Sequence, residues 1–117
     1  MKAYYAHCIS IYGSPLETDD IEAIDSLGLD VVNPNEPQHD AGYTKNGMDY
    51  FKNLVRKCDV LFFRAMADGR ISAGVATEID TAAGSGLQVF ELPSRIKTRI
   101  ATIEETREFI YESGART

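Results

Sequence analysis

The chain lacks any apolar run approaching the ~20 residues that a bilayer-spanning helix requires, which excludes a transmembrane helix. Its N-terminus lacks a basic stretch, a long apolar core and a small-residue cleavage site in succession. No secretory signal is expected on that ground, and a cytoplasmic location is. Basic residues are in deficit: 12 Lys and Arg stand against 18 Asp and Glu, a net charge of −6. That balance argues against nucleic-acid phosphates or acidic lipid as the main partner. One local basic cluster would still suffice for a small anionic metabolite. Cysteine is scarce. Cys8 and Cys58 each lie in or beside an apolar run, and a reducing compartment makes both buried free thiols. There is no C-x-x-C, and His7 and His39 do not complete zinc-ligand spacing, so no metal centre is expected.

Phosphate-binding motifs are missing as well. No G-x-x-x-x-G-K-[ST] occurs, and Gly84-Ser85-Gly86 falls after a helix and before a strand, the wrong order for a dinucleotide fingerprint. Arg64 stands where a phospho-receiver domain needs a phosphorylatable Asp. No Ser/His/Asp or Cys/His set stands out. His7 and Cys8 are adjacent, and neighbouring strand residues point to opposite faces. Internal repeats and low-complexity segments are absent.

What is present is ordinary globular composition, 44% apolar and 26% charged, in 117 residues. That is the length of one domain spanning residues 1–117. Residues 2–11 (KAYYAHCISI) read as a first strand running into a loop over 7–14. A helix follows over 17–29, with Ile21, Ile24 and Leu27 or Leu29 at helical spacing and Gly28 as its stop. Residues 29–33 (LDVVN) form a short strand ended by Pro34, and 34–47 is a polar loop. Residues 48–58 read as a helix with Met48, Phe51, Leu54, Val55 and Cys58 on one face. DVLFFR, 59–64, has the continuous apolar look of a central parallel strand. After a loop over 65–70, Ser72 caps a helix through Ala83. LQVFEL, 87–92, is the next strand, followed by a connector over 93–98 and a further short strand over 99–102. Thr102 and Glu105 fit a capping box that opens a last helix, ended by Gly114.

Alternating strands and helices imply a three-layer α/β fold, flavodoxin-like or Rossmann-like. Its sheet would have four to five mainly parallel strands and helices on both faces. Ligands in such sheets bind beyond the carboxyl ends of the strands, where strand order reverses. The loops 7–14 and 64–71 and the next helix start are therefore placed at the site. On that helix Ile71, Val75, Ile79 and Ala82 form the packing stripe, and Glu78 flanks it near the site edge. Gly74, one turn ahead, leaves room for something to approach the Glu78 carboxylate. From spacing alone Glu78 reads first as a solvated helix residue with a packing glycine. Arg64 ends an apolar strand at the ligand edge and could hold a phosphate, with Ser72 and the helix-start N–H groups assisting. Arg70 reads as a solvated loop residue. Tyr5, Tyr12 and Tyr43 could stack on a base or serve as core and rim.

Four segments carry a resemblance. MKAYYAHCIS (1–10) resembles the opening "YIAGPMSG" of nucleoside 2-deoxyribosyltransferase-like proteins. GLDVVNP (28–34) resembles their "G-x-x-V-x-N-P" second strand, CDVLF (58–62) resembles "ADVVV", and GVATE (74–78) matches "G-T/V-x-x-E". They occur in order over residues 1 to about 92, and residues 93–117 carry no such match. The superfamily includes deoxynucleoside-monophosphate N-glycosidase-like proteins. The resemblance implies cleavage or transfer of the N-glycosidic bond of a 2′-deoxynucleoside or its 5′-monophosphate, with Glu78 as nucleophile and no cofactor or metal. It further implies a small-molecule nucleoside or nucleotide partner and a homo-oligomer, a dimer or tetramer. The family's acid, eight residues before the Asp of "ADV", is Phe51 here; nearby Asp49 is the candidate acid, on condition that the helix starts late and leaves Asp49 in the loop, since on a regular helix it points away from the face of Phe51 and Cys58. The family's Gly is His7, Cys8 stands where Pro or Ser is common, and Ser10 matches the small hydroxyl. His7, Ser10, Tyr12, Arg64, Ser72 and Gly74 are the implied substrate contacts. A non-catalytic nucleotide-binding protein, a sensor or sequestering module, is the alternative that Phe51 favours.

Both thiols are open to a direct count. Alkylation under denaturing, non-reducing conditions is expected to label Cys8 and Cys58, and a chain with no titratable thiol would overturn the compartment assignment.

Overall fold

The computed structural model describes residues 1–93 and 100–114. Four strands form one sheet: β1 (Lys2–Ala6), β2 (Asp30–Val32), β3 (Val60–Phe63) and β4 (Gln88–Glu91). Every pairing is parallel and the order is β2-β1-β3-β4. Ala3 lies opposite both Val31 and Val60, and Leu61 opposite Val89. Helices α1 (Pro15–Asp25), α2 (Asp40–Asn46), α3 (Met48–Arg56), α4 (Ala73–Gly84) and α5 (Ile103–Glu112) complete the chain. This is the three-layer α/β arrangement that the alternation of elements implies.

The strand period of two sorts the sheet's side chains into two cores. Tyr4, Ala6 and Leu61 pack with Val55 and Cys58 near the end of α3 and with Val75 and Ala82 of α4. Ala3, Tyr5 and Val60 pack on the other face with Ile24 of α1 and with Leu92. The connection from β1 to β2 runs one way and the remaining strands are added the other way, so order reverses between β1 and β3. The crevice beyond their carboxyl ends is the expected ligand position.

Local chemistry explains the helix ends. Ser14 caps α1 by accepting the Glu17 N–H at 3.2 Å, and Pro15 takes the first position, where no N–H is needed. Gly28 turns the chain toward β2 at φ +80°, a region closed to most side chains. Ser72 caps α4 on the Val75 N–H, and Thr102 and Glu105 close the reciprocal box at 3.1 Å each.

Two expectations need correction. The segment 34–47 is not an open loop. Pro37–His39 forms a 3-10 turn and α2 follows it, with Gly47 breaking into α3 at φ +59°. Helix α2 buries none of its residues, so its sequence carries no apolar stripe to reveal it. It is held instead by contact with α3: a Cβ at Gly42 would overlap the Tyr50 ring. The Tyr50 hydroxyl and His39 Nδ1 lie 2.6 Å apart at the same corner. Second, residues 100–102 form no strand, and position 99 lies outside the described residues. Among the described residues no helix is long and apolar enough to cross a membrane.

A buried polar chain pins α1 to the sheet. The Tyr5 hydroxyl donates to Asp20 Oδ2 at 2.6 Å. Arg64 forks onto the same carboxylate, Nε to Oδ2 at 2.9 Å and Nη2 to Oδ1 at 2.6 Å, and its Nη1 donates to the Pro93 carbonyl. Asp20 is fully buried and Arg64 is 5% exposed. Asp20→Ala leaves that guanidinium without its counter-charge and is expected to cost about 3–5 kcal/mol in urea unfolding. The double replacement Asp20→Leu with Arg64→Met should cost far less. A single-variant loss under about 1 kcal/mol would show that the pair is not a fixed structural element.

Candidate active site

Beyond the ends of β1 and β2 lies a cavity of about 330 Å³. Four segments enclose it: His7, Cys8, Ile9 and Tyr12 after β1; Pro34 and Asn35 after β2; Asp40, Tyr43, Met48 and Phe51 from α2 and α3; and Ser72, Gly74, Val75 and Glu78 from the start of α4. Glu78 lies on the inner face of α4 with Val75 and Ala82, not on its flank, and is 6% exposed. Ile71 precedes the helix and is exposed, so it takes no part in the packing stripe. The Tyr4 hydroxyl donates to Glu78 Oε2 from beneath the cavity.

Burial dominates the electrostatics of this carboxyl. Loss of hydration raises Glu78 from its ordinary 4.5 to about 7, against the smaller lowering effect of the Tyr4 hydrogen bond. The Tyr4 phenol is driven up by its own burial and then by the neighbouring carboxylate, so it remains a donor throughout the neutral range. Tyr12 is raised to about 12, first by burial and then by the negative charges of Glu78 and Glu17. Glu78 thus changes charge near neutrality while both phenols facing it keep their protons.

A second buried hub shapes the opposite wall. Glu17, in the first turn of α1, lies 2.7 Å from His7 Nε2 and accepts the Gly13 N–H at 3.2 Å and the Asn35 side-chain amide at 3.2 and 3.3 Å. His7 Nδ1 faces the Tyr5 carbonyl at 3.0 Å. Both ring nitrogens are therefore occupied, and the ring stacks on Tyr5 with centroids 3.8 Å apart. His7 lines the cavity as a fixed wall. Tyr12 leans over it at 4.8 Å. Glu17 was absent from the sequence candidates; its signal was the S-x-x-E pattern of Ser14 and Glu17, whose acid reaches back to His7 instead of to the cap.

The structure brings together His7, Tyr12, Tyr43, Ser72, Gly74 and Glu78 from the sequence candidates and leaves Tyr5, Ser10, Asp49 and Arg64 outside the cavity wall. Arg64 shares the strand-end edge, but it points to the α1 face of the sheet and is consumed by Asp20. Three positions separate it from Leu61, so strand alternation sends it to the face opposite the α4 core. Ser10 is exposed and outside the cavity wall; its hydroxyl and N–H, with the Ser72 hydroxyl, lower the Cys8 thiol. Cys8 is half-buried in the cavity wall, whereas the buried Cys58 thiol is raised to about 11. Asp49 is exposed in the first turn of α3 and does not line the cavity. The second carboxylate in the wall is Asp40, at the start of α2, an element the sequence did not disclose. Among the described residues no Lys or Arg lines the cavity, and Arg70 is tied to Asp68 at 2.6 Å on the exposed loop. An added Cβ at Gly74 meets no atom within 4 Å, so this face of α4 is open. Tyr43 and Phe51, centroids 5.4 Å apart, form the aromatic wall. Among the described residues no three His, Cys, Asp or Glu side chains converge as a metal site. Compared with known proteins, the chain matches no family model and no curated protein.

The Glu78 shift carries a stability consequence with a defined sign. Its folded value, about 7, lies above its ordinary 4.5, so the folded state retains a proton that the unfolded state releases between those values. Stability from this group therefore falls as pH rises through that window, by about 3 kcal/mol in total. Glu78→Gln preserves an acceptor for Tyr4 and removes the titration. The stability of the variant relative to wild type is expected to rise by about 3 kcal/mol between pH 4 and pH 8 in urea unfolding. A pH-independent difference would show that Glu78 titrates normally.

Proposed function

We propose that the protein cleaves or transfers the N-glycosidic bond of an uncharged 2′-deoxynucleoside, with Glu78 as the nucleophile. The observation that carries this reading is a buried glutamate in a cavity wall, one oxygen held by the Tyr4 hydroxyl and the other left for attack. The transition state at the sugar's anomeric carbon is cation-like, and a carboxylate can capture it as a glycosyl ester. In the first step Glu78 Oε1 bonds to C1′, the C1′–N bond breaks, and its electron pair leaves with the base, which takes up a proton. In the second step water or another base attacks C1′, gives up its proton to solvent, and frees the carboxylate, so the proton taken up with the first base is returned. Asp40 is the wall carboxyl that can hydrogen-bond the departing base, in place of Asp49. Tyr43 and Phe51 offer it an aromatic surface. The two carboxylates in the wall, Glu78 and Asp40, support an uncharged nucleoside over a 5′-phosphate. This chemistry calls for no metal or cofactor, and the free thiols suit the cytoplasm.

The second reading is a nucleoside-binding protein without turnover. It is favoured by Phe51 at the position of the family's acid and by the exposure of Asp40 at the rim.

Intact-mass spectrometry after mixing with deoxynucleosides separates the two readings. A mass increase of one deoxyribosyl group on the wild type, absent from Glu78→Gln, is expected. Glu78→Gln should lose several orders of magnitude in turnover, while Asp80→Asn, ~160° to ~200° round the same helix, should be nearly unchanged. Because the nucleophile must be ionised, kcat/KM should rise with pH and level off above about 7. Wild-type turnover in Glu78→Gln would end the assignment. Tight binding of a deoxynucleoside without adduct or turnover would establish the second reading.

A further inference from the structure

Much of the hydrogen bonding in the cavity wall is spent on the protein itself. Both ring nitrogens of His7 face oxygens of the chain, and the Ser72 hydroxyl accepts the Val75 N–H. Asn35 is spent at one end only. Its Nδ2 donates to both oxygens of Glu17, at 3.3 and 3.2 Å. An amide oxygen turned to that carboxylate would set acceptor against acceptor, so the amide has a single orientation and Oδ1 points away from Glu17. Oδ1 has no hydrogen-bond partner among the described residues. Among those residues no buried side-chain oxygen or nitrogen is left without one. Oδ1 is therefore not enclosed by protein. Asn35 lines the cavity, and its free oxygen opens on that side.

The backbone beneath it is held as firmly. Asn33 is buried; its carbonyl accepts the Glu36 N–H at 3.1 Å, and its side chain accepts the Asn35 N–H at 2.9 Å. Pro34 stands at the second position of that turn, where its fixed φ is already the one required. Glu17 also receives the Gly13 N–H, so the loops after β1 and β2 are tied to one carboxylate on α1. The acceptor has lost its freedom before any ligand arrives. A hydrogen bond to such a group costs little ordering, and a ligand lacking the matching donor leaves it unpaired.

We propose that Asn35 Oδ1 is a specificity-determining acceptor for a sugar hydroxyl of the substrate, with Glu17 as its positioning residue. The assignment rests on the deoxynucleoside reading above. In that reading the base lies with Asp40, Tyr43 and Phe51, and C1′ lies against Glu78. The donors that remain on an uncharged 2′-deoxynucleoside are its 3′- and 5′-hydroxyls. A carboxamide oxygen accepts from either. A phosphate ester on the hydroxyl that Asn35 reads replaces the donor with acceptor oxygens, with the Glu17 carboxylate behind them. Asn35 thus excludes a phosphate by mismatch of acceptors, beside the charge of Glu78 and Asp40.

Binding is measured by titration calorimetry in a Glu78→Gln background, where turnover is blocked. The ligands are the common 2′-deoxynucleosides, then the 3′-deoxy and 5′-deoxy analogues of the tightest binder. Asn35→Leu keeps a branched side chain on the turn and should weaken the parent nucleoside about tenfold. One of the two analogues should bind about tenfold more weakly than the parent and lose nothing more in Asn35→Leu, which identifies the hydroxyl. Glu17→Gln offers an N–H toward Asn35 and frees the amide to turn. It should shrink the preference for the parent over that analogue to about twofold, with circular dichroism unchanged, and it carries the test alone if Asn35→Leu does not fold. Parent binding that is indifferent to Asn35→Leu overturns the assignment and leaves the glycosidic reading standing. So does a tenfold loss that persists in full with both analogues. Hydroxyl-linked dependence on Asn35, in a protein whose wild type gives neither adduct nor turnover, supports the assignment and ends the glycosidic reading. Failure of every deoxynucleoside to bind ends both.

Discussion

Two adjacent tyrosines on the central strand hold both layers of this molecule. Tyr4 and Tyr5 point to opposite faces because they are neighbours on a strand, and both are fully buried. A buried hydroxyl without a partner costs about 1–3 kcal/mol, so each face must supply an acceptor. Helix α4 supplies Glu78 to Tyr4, and α1 supplies Asp20 to Tyr5. Asp20 in turn requires Arg64, which carries the network across to the end of β3. One local requirement of β1 thereby fixes the seating of a helix on each side and places one of the two acids at the cavity.

The two acids meet opposite fates. Asp20 is answered by a forked guanidinium and belongs to the framework. Glu78 is answered only by a neutral phenol, and its burial goes largely uncompensated. Burial disfavours its ionised form relative to water, which is the condition for a carboxylate whose charge is better satisfied by a cationic centre brought into the cavity. The framework tolerates this because the cores on either side are separately closed.

Much of this was legible before the structure. Strand β3 announced itself as a continuous apolar run, and the caps at Ser72 and Thr102 marked their helices because capping chemistry is local. The pairing of Gly74 with Glu78 one turn apart marked the stretch of α4 that lines the cavity. What escaped was non-local. Nothing near Arg64 in sequence shows that its carboxylate partner is Asp20 on α1. Glu17 looked like one more helix-start acid, and only the fold brings His7, Gly13 and Asn35 around it. Helix α2 buries nothing, so Asp40 and Tyr43 were read as part of a polar loop. Asp49 could serve as the acid only if its helix began late, and α3 begins at Met48.

The contact between Gly42 and Tyr50 bears on how this sequence can diverge. The α2–α3 corner presents four of the cavity's lining residues, Asp40, Tyr43, Met48 and Phe51. The Tyr50 ring fills the space that a side chain at 42 would need, with a ring carbon 2.2 Å from where its Cβ would lie. A residue larger than glycine at 42 must therefore displace that ring, and with it the corner that carries these four lining residues, so the shape of the cavity is sensitive to a position that does not itself line it.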